Sequence, residues 1–408
     1  MTRSAARSAA RSAVEPVGGP HLTYCLNIHP TQTWAEVEAA LSGPVLAVKA
    51  AVSPDAPFPV GLRLSAEALA ALDDPARRAR LKALLADNDL APVTMNGFPY
   101  GPFHGARVKE QVYLPDWRAP ERRAYTAGLA ALMAEINPEG AFVSLSTSPG
   151  AFRRDGLGAE AEIAANYLRA AADMVALERR TGRTVALAIE PEPCCLLETI
   201  AETVAFFQRH LYGDAAAATL AAATGLTRAQ AAEALPRHLG LCYDVCHAAV
   251  EFEDAAASLR LLAAAGIPVH KLQLSSALRV AEGSDAARRA LARFDEPTYL
   301  HQLVSRAPDG ALRRFADLGA ALAPGGAADG DEWRVHFHVP VFLERLPDFD
   351  TTQGFLREIL AAHRAAPISR HLEVETYTWS VLPEALAQGS LVEAVTRELC
   401  WVAARLAP

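Results

Sequence analysis

The chain has 408 residues, 51% hydrophobic and 21% charged, with a formal net charge of −8 at pH 7. That length buries a large core, as one big α/β domain or two smaller ones. An acidic chain without a basic run argues against a nucleic-acid partner, and no apolar stretch reaches the roughly 18 residues of a membrane span.

The first twenty residues, MTRSAARSAARSAVEPVGGP, carry Arg, Ser and Ala with one acid, Glu15. A targeting peptide has this composition. A disordered extension (1–20) fits better, because no bulky apolar residues make an amphipathic face. From residue 21 short apolar runs alternate with longer amphipathic ones. Strands are predicted over 21–27, 46–52, 90–96, 142–148, 184–190, 239–244, 269–274 and 371–376. Helices are predicted near 33–41, 65–87, 117–135, 159–180, 199–210, 253–264 and 391–406. This alternation predicts one (β/α)8 TIM barrel over 21–408. Two insertions lengthen it. The first, near 212–237, is Ala-rich and helical, with Thr227-Arg-Ala-Gln as a cap. The second, near 276–332, contains the turn Pro308-Asp309-Gly310. No second compact domain is predicted.

Acidic and ligand-type residues stand at the ends of several apolar runs, where such barrels keep their catalytic groups. Glu190 ends the fifth predicted strand and Asp244 the sixth, with His247 in the following turn; Gln273 lies in the seventh and Glu375 ends the eighth. A buried carboxylate is costly unless paired or metal-bound. Three carboxylates and a carboxamide converging at one barrel end make an oxygen-rich shell for Mn or Mg, and added imidazoles would admit Zn, Co or Fe. In Val335-His336-Phe337-His338 alternation turns both imidazoles to one face, towards a second metal or the substrate.

Each residue also has a plainer role. Glu190 could pair with Arg63, and Asp244 could simply cap a helix. Gln273 could satisfy backbone groups. Of Glu190/Glu192 and Glu373/Glu375, one member of each pair is expected to face outward. The six cysteines, Cys194, Cys195, Cys242 and Cys246 among them, lack zinc-finger spacing and read as small buried hydrophobes and reduced thiols of a cytoplasmic protein. The Gly-, Pro- and aromatic-rich loop 96–105 is expected to lie over the site. Asn96 and Lys109 are candidate substrate contacts.

The order Glu190, Asp244-x-x-His247, Gln273, Glu375 resembles the xylose-isomerase-like TIM-barrel superfamily of sugar isomerases, ketose epimerases, hydroxypyruvate isomerase, inosose dehydratase and endonuclease IV. The resemblance implies that these four residues bind one divalent metal, that His247 contacts substrate, and that Glu190 and Glu375 form the acid–base pair. A longer match resembles the EboE-type metabolite-traffic proteins. It rests on Thr23-Tyr-Cys-Leu-Asn-Ile-His-Pro, Asn96-Gly-Phe-Pro-Tyr-Gly-Pro-Phe-His-Gly, Val108-Lys-Glu-Gln-Val-Tyr, Glu190-Pro-Glu-Pro-Cys-Cys-Leu-Leu-Glu-Thr, Gln273-Leu-Ser-Ser-Ala-Leu-Arg and Val335-His-Phe-His-Val-Pro. It implies a role in secondary metabolism, beside other proteins of one pathway. The likeness to endonuclease IV is partial, because Asn96 and Ser148 stand where that enzyme has histidines.

Three functions are therefore expected to compete. One is a metal-dependent isomerase or epimerase of a small polyhydroxylated carbonyl compound, such as a sugar, cyclitol or phosphate ester. The second is a non-catalytic metabolite carrier. The third is a metal-dependent hydrolase of the endonuclease-IV kind.

Overall fold

The computed structural model describes residues 21–105, 107–382 and 389–407. The N-terminal extension lies outside the described residues. Seven strands come first: β1 (His21–Tyr24), β2 (Phe58–Arg63), β3 (Leu90–Asn96), β4 (Phe142–Thr147), β5 (Thr184–Ile189), β6 (Leu239–Asp244) and β7 (Val269–Leu274). Five more, β8 (Ala277–Val280), β9 (Leu303–Arg306), β10 (Leu312–Phe315), β11 (Glu332–His338) and β12 (Asp350–Thr351), form a separate sheet before β13 (His371–Val374) returns to the first.

The first sheet runs β1-β13-β7-β6-β5-β4-β3-β2, with all its pairings parallel. A parallel bridge between Cys25 and Gly61, helped by Gly61 N–H donating to Thr23 Oγ1 at 3.2 Å, joins its two edges. Helices connect the strands and their apolar faces share the barrel's main core. The fold is a (β/α)8 TIM barrel.

One expected strand is wrong. Residues 46–52 belong to the helix Pro44–Val52, and the second strand is Phe58–Arg63. Val45, Val48 and Val52 fall on one buried helical face, and Pro44 stands at the first turn, where its fixed φ suits a helix. Phe-Pro-Val-Gly-Leu-Arg reads poorly as a strand because of its Pro and Gly. Gly61 is required there, since a Cβ would lie 1.7 Å from Glu373 Oε1. The helix expected over 65–87 is two, Ala66–Ala71 and Pro75–Asp87, divided where Asp74 caps the second ahead of Pro75.

The first insertion forms helices Asp214–Thr224 and Arg228–His238, the latter opened by a Thr227/Gln230 capping box. The second is the antiparallel sheet β10-β9-β11-β8-β12, with its own buried cluster including Phe294, Leu303, Leu318, Trp333 and Phe337. Along β11, Val335 and Phe337 join that cluster, while His336 and His338 point the other way, into the barrel's mouth.

Candidate metal centre

The carboxylates of Glu190, Asp244 and Glu375 converge at the C-terminal ends of β5, β6 and β13, each with a ligand atom within 4.8 Å of the others. All three are buried. Asp244 does two jobs. Its Oδ1 caps the helix Val245–Val250, accepting from His247 N–H at 3.0 Å, and also accepts from Ser275 Oγ at 2.7 Å. Its Oδ2 is buried without a hydrogen-bond partner. Gln273, on β7 beside Asp244 and Glu373, is fully buried, and neither amide atom completes a hydrogen bond of normal geometry. Its amide nevertheless lies close enough to Glu375 to lower that carboxyl's pKa. Glu375 is further held by Asn27 and by Asn96 Nδ2 at 3.3 Å.

A second group adjoins the first. His247, His338 and Asp244 bring ligand atoms together, as do His247, His336 and Glu192, and Cys246, His336 and His338. Each of the three imidazoles directs Nδ1 at a carbonyl oxygen: His247 at Pro191 O (2.8 Å), His336 at Gln302 Oε1 (2.8 Å) and His338 at Glu375 O (2.6 Å). A carbonyl only accepts, so each Nδ1 carries the hydrogen and each neutral Nε2 is bare. The Gln302 amide orientation follows from its Nε2, which donates to Tyr113 Oη (3.1 Å) and Pro193 O (3.2 Å). Two bare nitrogens, His247 Nε2 and His336 Nε2, then face each other at 3.2 Å, and His338 Nε2 has no partner. Facing lone pairs repel unless a cation lies between them, and imidazoles anchored through Nδ1 are how proteins hold metal-ligating histidines.

The electrostatics agree. Burial first, then repulsion from Glu375 and Asp244, raises the Glu190 pKa well above its ordinary value. Burial first, then Asp244, raises Glu375. Burial draws His247 and His338 down to about 4 and His336 well below 6.5, so the imidazoles are neutral near pH 7. The residues therefore fit a divalent ion: unpartnered oxygens and bare nitrogens, all buried, aimed at one place.

Sequence reasoning missed part of this site. One member of each pair, Glu190/Glu192 and Glu373/Glu375, was expected to face outward, but all four are buried. Glu373 and Glu375 are two residues apart, and alternation puts such residues on the same face. Glu373 lies deeper in the barrel, paired with the fully buried Lys271 at 2.6 Å. Glu192 accepts from Tyr113 Oη at 2.6 Å, and burial raises its pKa to about 8. Arg63 does not pair with Glu190; it donates to Thr31 O (3.0 Å), Pro99 O (2.9 Å) and Gly101 O (2.7 Å), bracing the loop after β3. Lys271, Tyr113 and Gln302 carried no local signal.

Above this floor a pocket of about 610 Å³, counting its open mouth, is walled by Phe98, Phe103 and Val112, by Tyr299 and Leu300 of the insertion, and by Tyr377. The stretch 97–105, with 107–113 after it, thus lies over the site, as expected of the loop 96–105. It is pinned to the insertion where Thr298 O accepts from Val108 N–H (2.8 Å) and Lys109 N–H (2.9 Å). Asn96 and Lys109 both line the pocket, and the Lys109 ammonium is paired with Asp317 at 2.6 Å.

No protein-family model and no curated protein matches the chain. Among solved structures it is similar to a xylose isomerase-like TIM barrel protein from Mycobacterium smegmatis in complex with magnesium, at 11% identity over 95% of this chain and 96% of that one, with a TM-score of 0.48. It is similar to an IOLI protein with a bound zinc atom, at 12% identity, covering 95% and 97%, with a TM-score of 0.45. It is also similar to the probable 3-DHS dehydratase AsbF, involved in petrobactin synthesis, from Bacillus anthracis, at 12% identity, covering 93% and 97%, with a TM-score of 0.41. Likeness at this level says nothing of activity. Among the described residues no helix is long and apolar enough to cross a membrane.

Proposed function

We propose that this protein is a divalent-metal-dependent isomerase or epimerase of the xylose-isomerase-like type, moving a proton on a small hydroxylated carbonyl compound. The observation that carries the reading is the convergence of buried ligand atoms with no protein partner: Asp244 Oδ2 and His338 Nε2. Glu190, Asp244, Gln273 and Glu375 would hold one ion, an oxygen set suited to Mn or Mg. His338, within ligand reach of both Asp244 and His336, would anchor a second, nitrogen-rich site suited to Zn, Co or Fe, with His336 beside it.

A divalent ion on a hydroxyl and its neighbouring carbonyl makes the C–H between them acidic. The chain's residues do the rest. Glu190 and Glu375 would take and return the proton; burial and repulsion from neighbouring carboxylates raise both carboxyls above the ordinary value. His247, held through its Nδ1, lines the pocket and would orient a substrate hydroxyl. Asn96 steadies Glu375, and the aromatic cover excludes water. The EboE-type strings support a place in a secondary-metabolite pathway, beside other proteins of that pathway.

The test is elemental analysis of purified protein beside Glu190→Gln, Asp244→Asn and Glu375→Gln. Near-stoichiometric Mn, Fe, Co, Zn or Mg that falls in all three variants supports the reading, and solvent-proton exchange into hydroxy-carbonyl compounds then tests turnover. Folded protein that cannot be loaded with metal refutes it and leaves the non-catalytic carrier. The adjoining histidine group favours one second reading, a two-metal hydrolase. Release of a new acid group from ester substrates, without proton exchange into a carbonyl compound, would establish that instead.

A further inference from the structure

The pocket changes character with height. Its floor is polar: Asn27, Asn96, Glu190, His247, His336 and Glu375. Its walls are apolar: Phe98, Phe103, Val108, Val112 and Leu300, with the rings of Tyr113, Tyr299 and Tyr377. Two of the three wall hydroxyls are already engaged by protein groups. Tyr299 Oη is hydrogen-bonded to His104 Nδ1 at 2.7 Å, and Tyr113 Oη donates to Glu192 at 2.6 Å while accepting from Gln302 at 3.1 Å. Phe103, Tyr299 and Tyr377 pack on one another with ring centroids 5.1–5.3 Å apart. The one cation among the described lining residues, Lys109, already neutralises Asp317.

A free sugar would leave hydroxyls against these walls without partners, and each unmet hydroxyl is costly in such a place. A phosphate ester would need donors and positive charge, and the described lining offers one ammonium that is already engaged. We infer that the substrate is amphiphilic, with a hydroxy-carbonyl head on the acidic floor and an uncharged apolar body, ring or branched chain, against Phe98, Phe103, Val112 and Leu300. The inference rests on the metal-dependent reading of the floor and narrows its substrate class, setting aside phosphate esters and free sugars.

Hydroxamic acids test it, because one head group chelates a divalent ion through two oxygens whatever body it carries. Acetohydroxamate, benzohydroxamate and a phosphate-bearing hydroxamate (phosphoglycolohydroxamate) are titrated calorimetrically into Mn-loaded full-length protein, with metal content measured in parallel. Benzohydroxamate is expected to bind at least ten-fold more tightly than acetohydroxamate, and the phosphate-bearing probe no more tightly. Phe103→Ala and, independently, Leu300→Ser should each erase most of the benzohydroxamate gain while leaving acetohydroxamate affinity unchanged, with folding checked by circular dichroism. Equal binding of the first two probes in metal-loaded protein, or tightest binding of the phosphate-bearing one, overturns the amphiphilic substrate alone. Protein that takes up no metal and binds no hydroxamate overturns the metal reading and this inference with it.

Discussion

Glu398 offers a quantitative check on the packing behind the site. It lies on the closing helix Leu391–Leu406, fully buried. Its Oε1 accepts from Val341 N–H at 3.0 Å and from Thr376 Oγ at 2.6 Å, bracing the segments that follow His338 and Glu375. Burial raises its pKa from 4.5 to about 7, against lowering by Thr376, Val341 and the Trp379 indole. A raised pKa in the folded state means folding favours the protonated form. The stability this gives is fully present below the unfolded pKa of 4.5 and is lost as pH rises through about 7. At about 1.4 kcal/mol per pH unit, the full loss is about 3 kcal/mol. With an unfolding entropy of about 2 cal/mol/K per residue, that moves Tm by about 4 °C for a chain this long. Glu398→Gln keeps an oxygen for both accepted bonds and removes the titration. Melting curves of wild type and variant from pH 4.5 to 8.5, in metal-free buffer, are therefore expected to diverge steadily, the variant gaining about 3 kcal/mol relative to wild type by pH 8. A pH-independent offset superimposed on that divergence reflects only how the new amide sits beside Trp379. Parallel curves across the whole range would refute the reasoning.

Asp244→Asn should abolish metal uptake by the Glu190/Asp244/Glu375 group and weaken it at the adjoining His247/His338 set. Wild-type protein at a hundred times the Kd of the oxygen group for Mn should gain about 2.7 kcal/mol, about 3 °C in Tm, with little gain in the variant; a variant stabilised as much as wild type would contradict the placement of Asp244 in that group. Gln302→Leu, which frees His336 Nδ1, should weaken metal binding at the histidine group about 10- to 100-fold while sparing the oxygen group, read by competition with a chromogenic chelator; unchanged affinity would remove Gln302 as the orienting partner. Lys271→Met leaves Glu373 alone in the barrel interior and should cost about 3–5 kcal/mol in denaturant unfolding, most of it recovered in the Lys271→Met/Glu373→Leu double variant. Additive losses in the double variant would show the pair is not the source.

How far the site could be read from the chain depended on how local each signal was. Glu190, Asp244 and Glu375 were legible because a carboxylate closing an apolar run has nowhere cheap to go, and a barrel gathers strand ends at one face. The pairing of His336 with His338 was legible because alternation alone puts both on one side of β11. The second strand was not, since Phe58–Arg63 spends two of its six positions on Pro and Gly, and Gly61 is there to make room for Glu373, more than three hundred residues away. Pro44–Val52 was misread because a run rich in Val suits a buried strand by composition while its spacing suits a helix face. Lys271, Tyr113 and Gln302 gave no local hint. Their roles come from contacts at long sequence separation, Gln302 reaching Glu192 and His336 only because the inserted sheet folds back over the barrel's mouth.

The charge balance of the floor gives the strongest argument that an ion completes it. Glu190, Asp244 and Glu375 are three buried carboxyls close together, with buried Glu192 near enough to repel them, and each of the four is shifted towards protonation, chiefly by burial. Lys271 lies beneath them and lowers the Glu190 and Glu375 pKa values, but its ammonium is already joined to Glu373, so that pair adds no net positive charge. The three nearby imidazoles are neutral and turn bare nitrogens inward. Such a floor has two ways to avoid the cost of clustered buried anions: it can hold protons on its carboxyls, or it can hold cations between them. Protons satisfy the carboxyls but leave His247 Nε2 and His336 Nε2 facing each other at 3.2 Å and His338 Nε2 unpartnered. Divalent cations would satisfy the oxygens and the nitrogens together, which is why the proposed reading places an ion there.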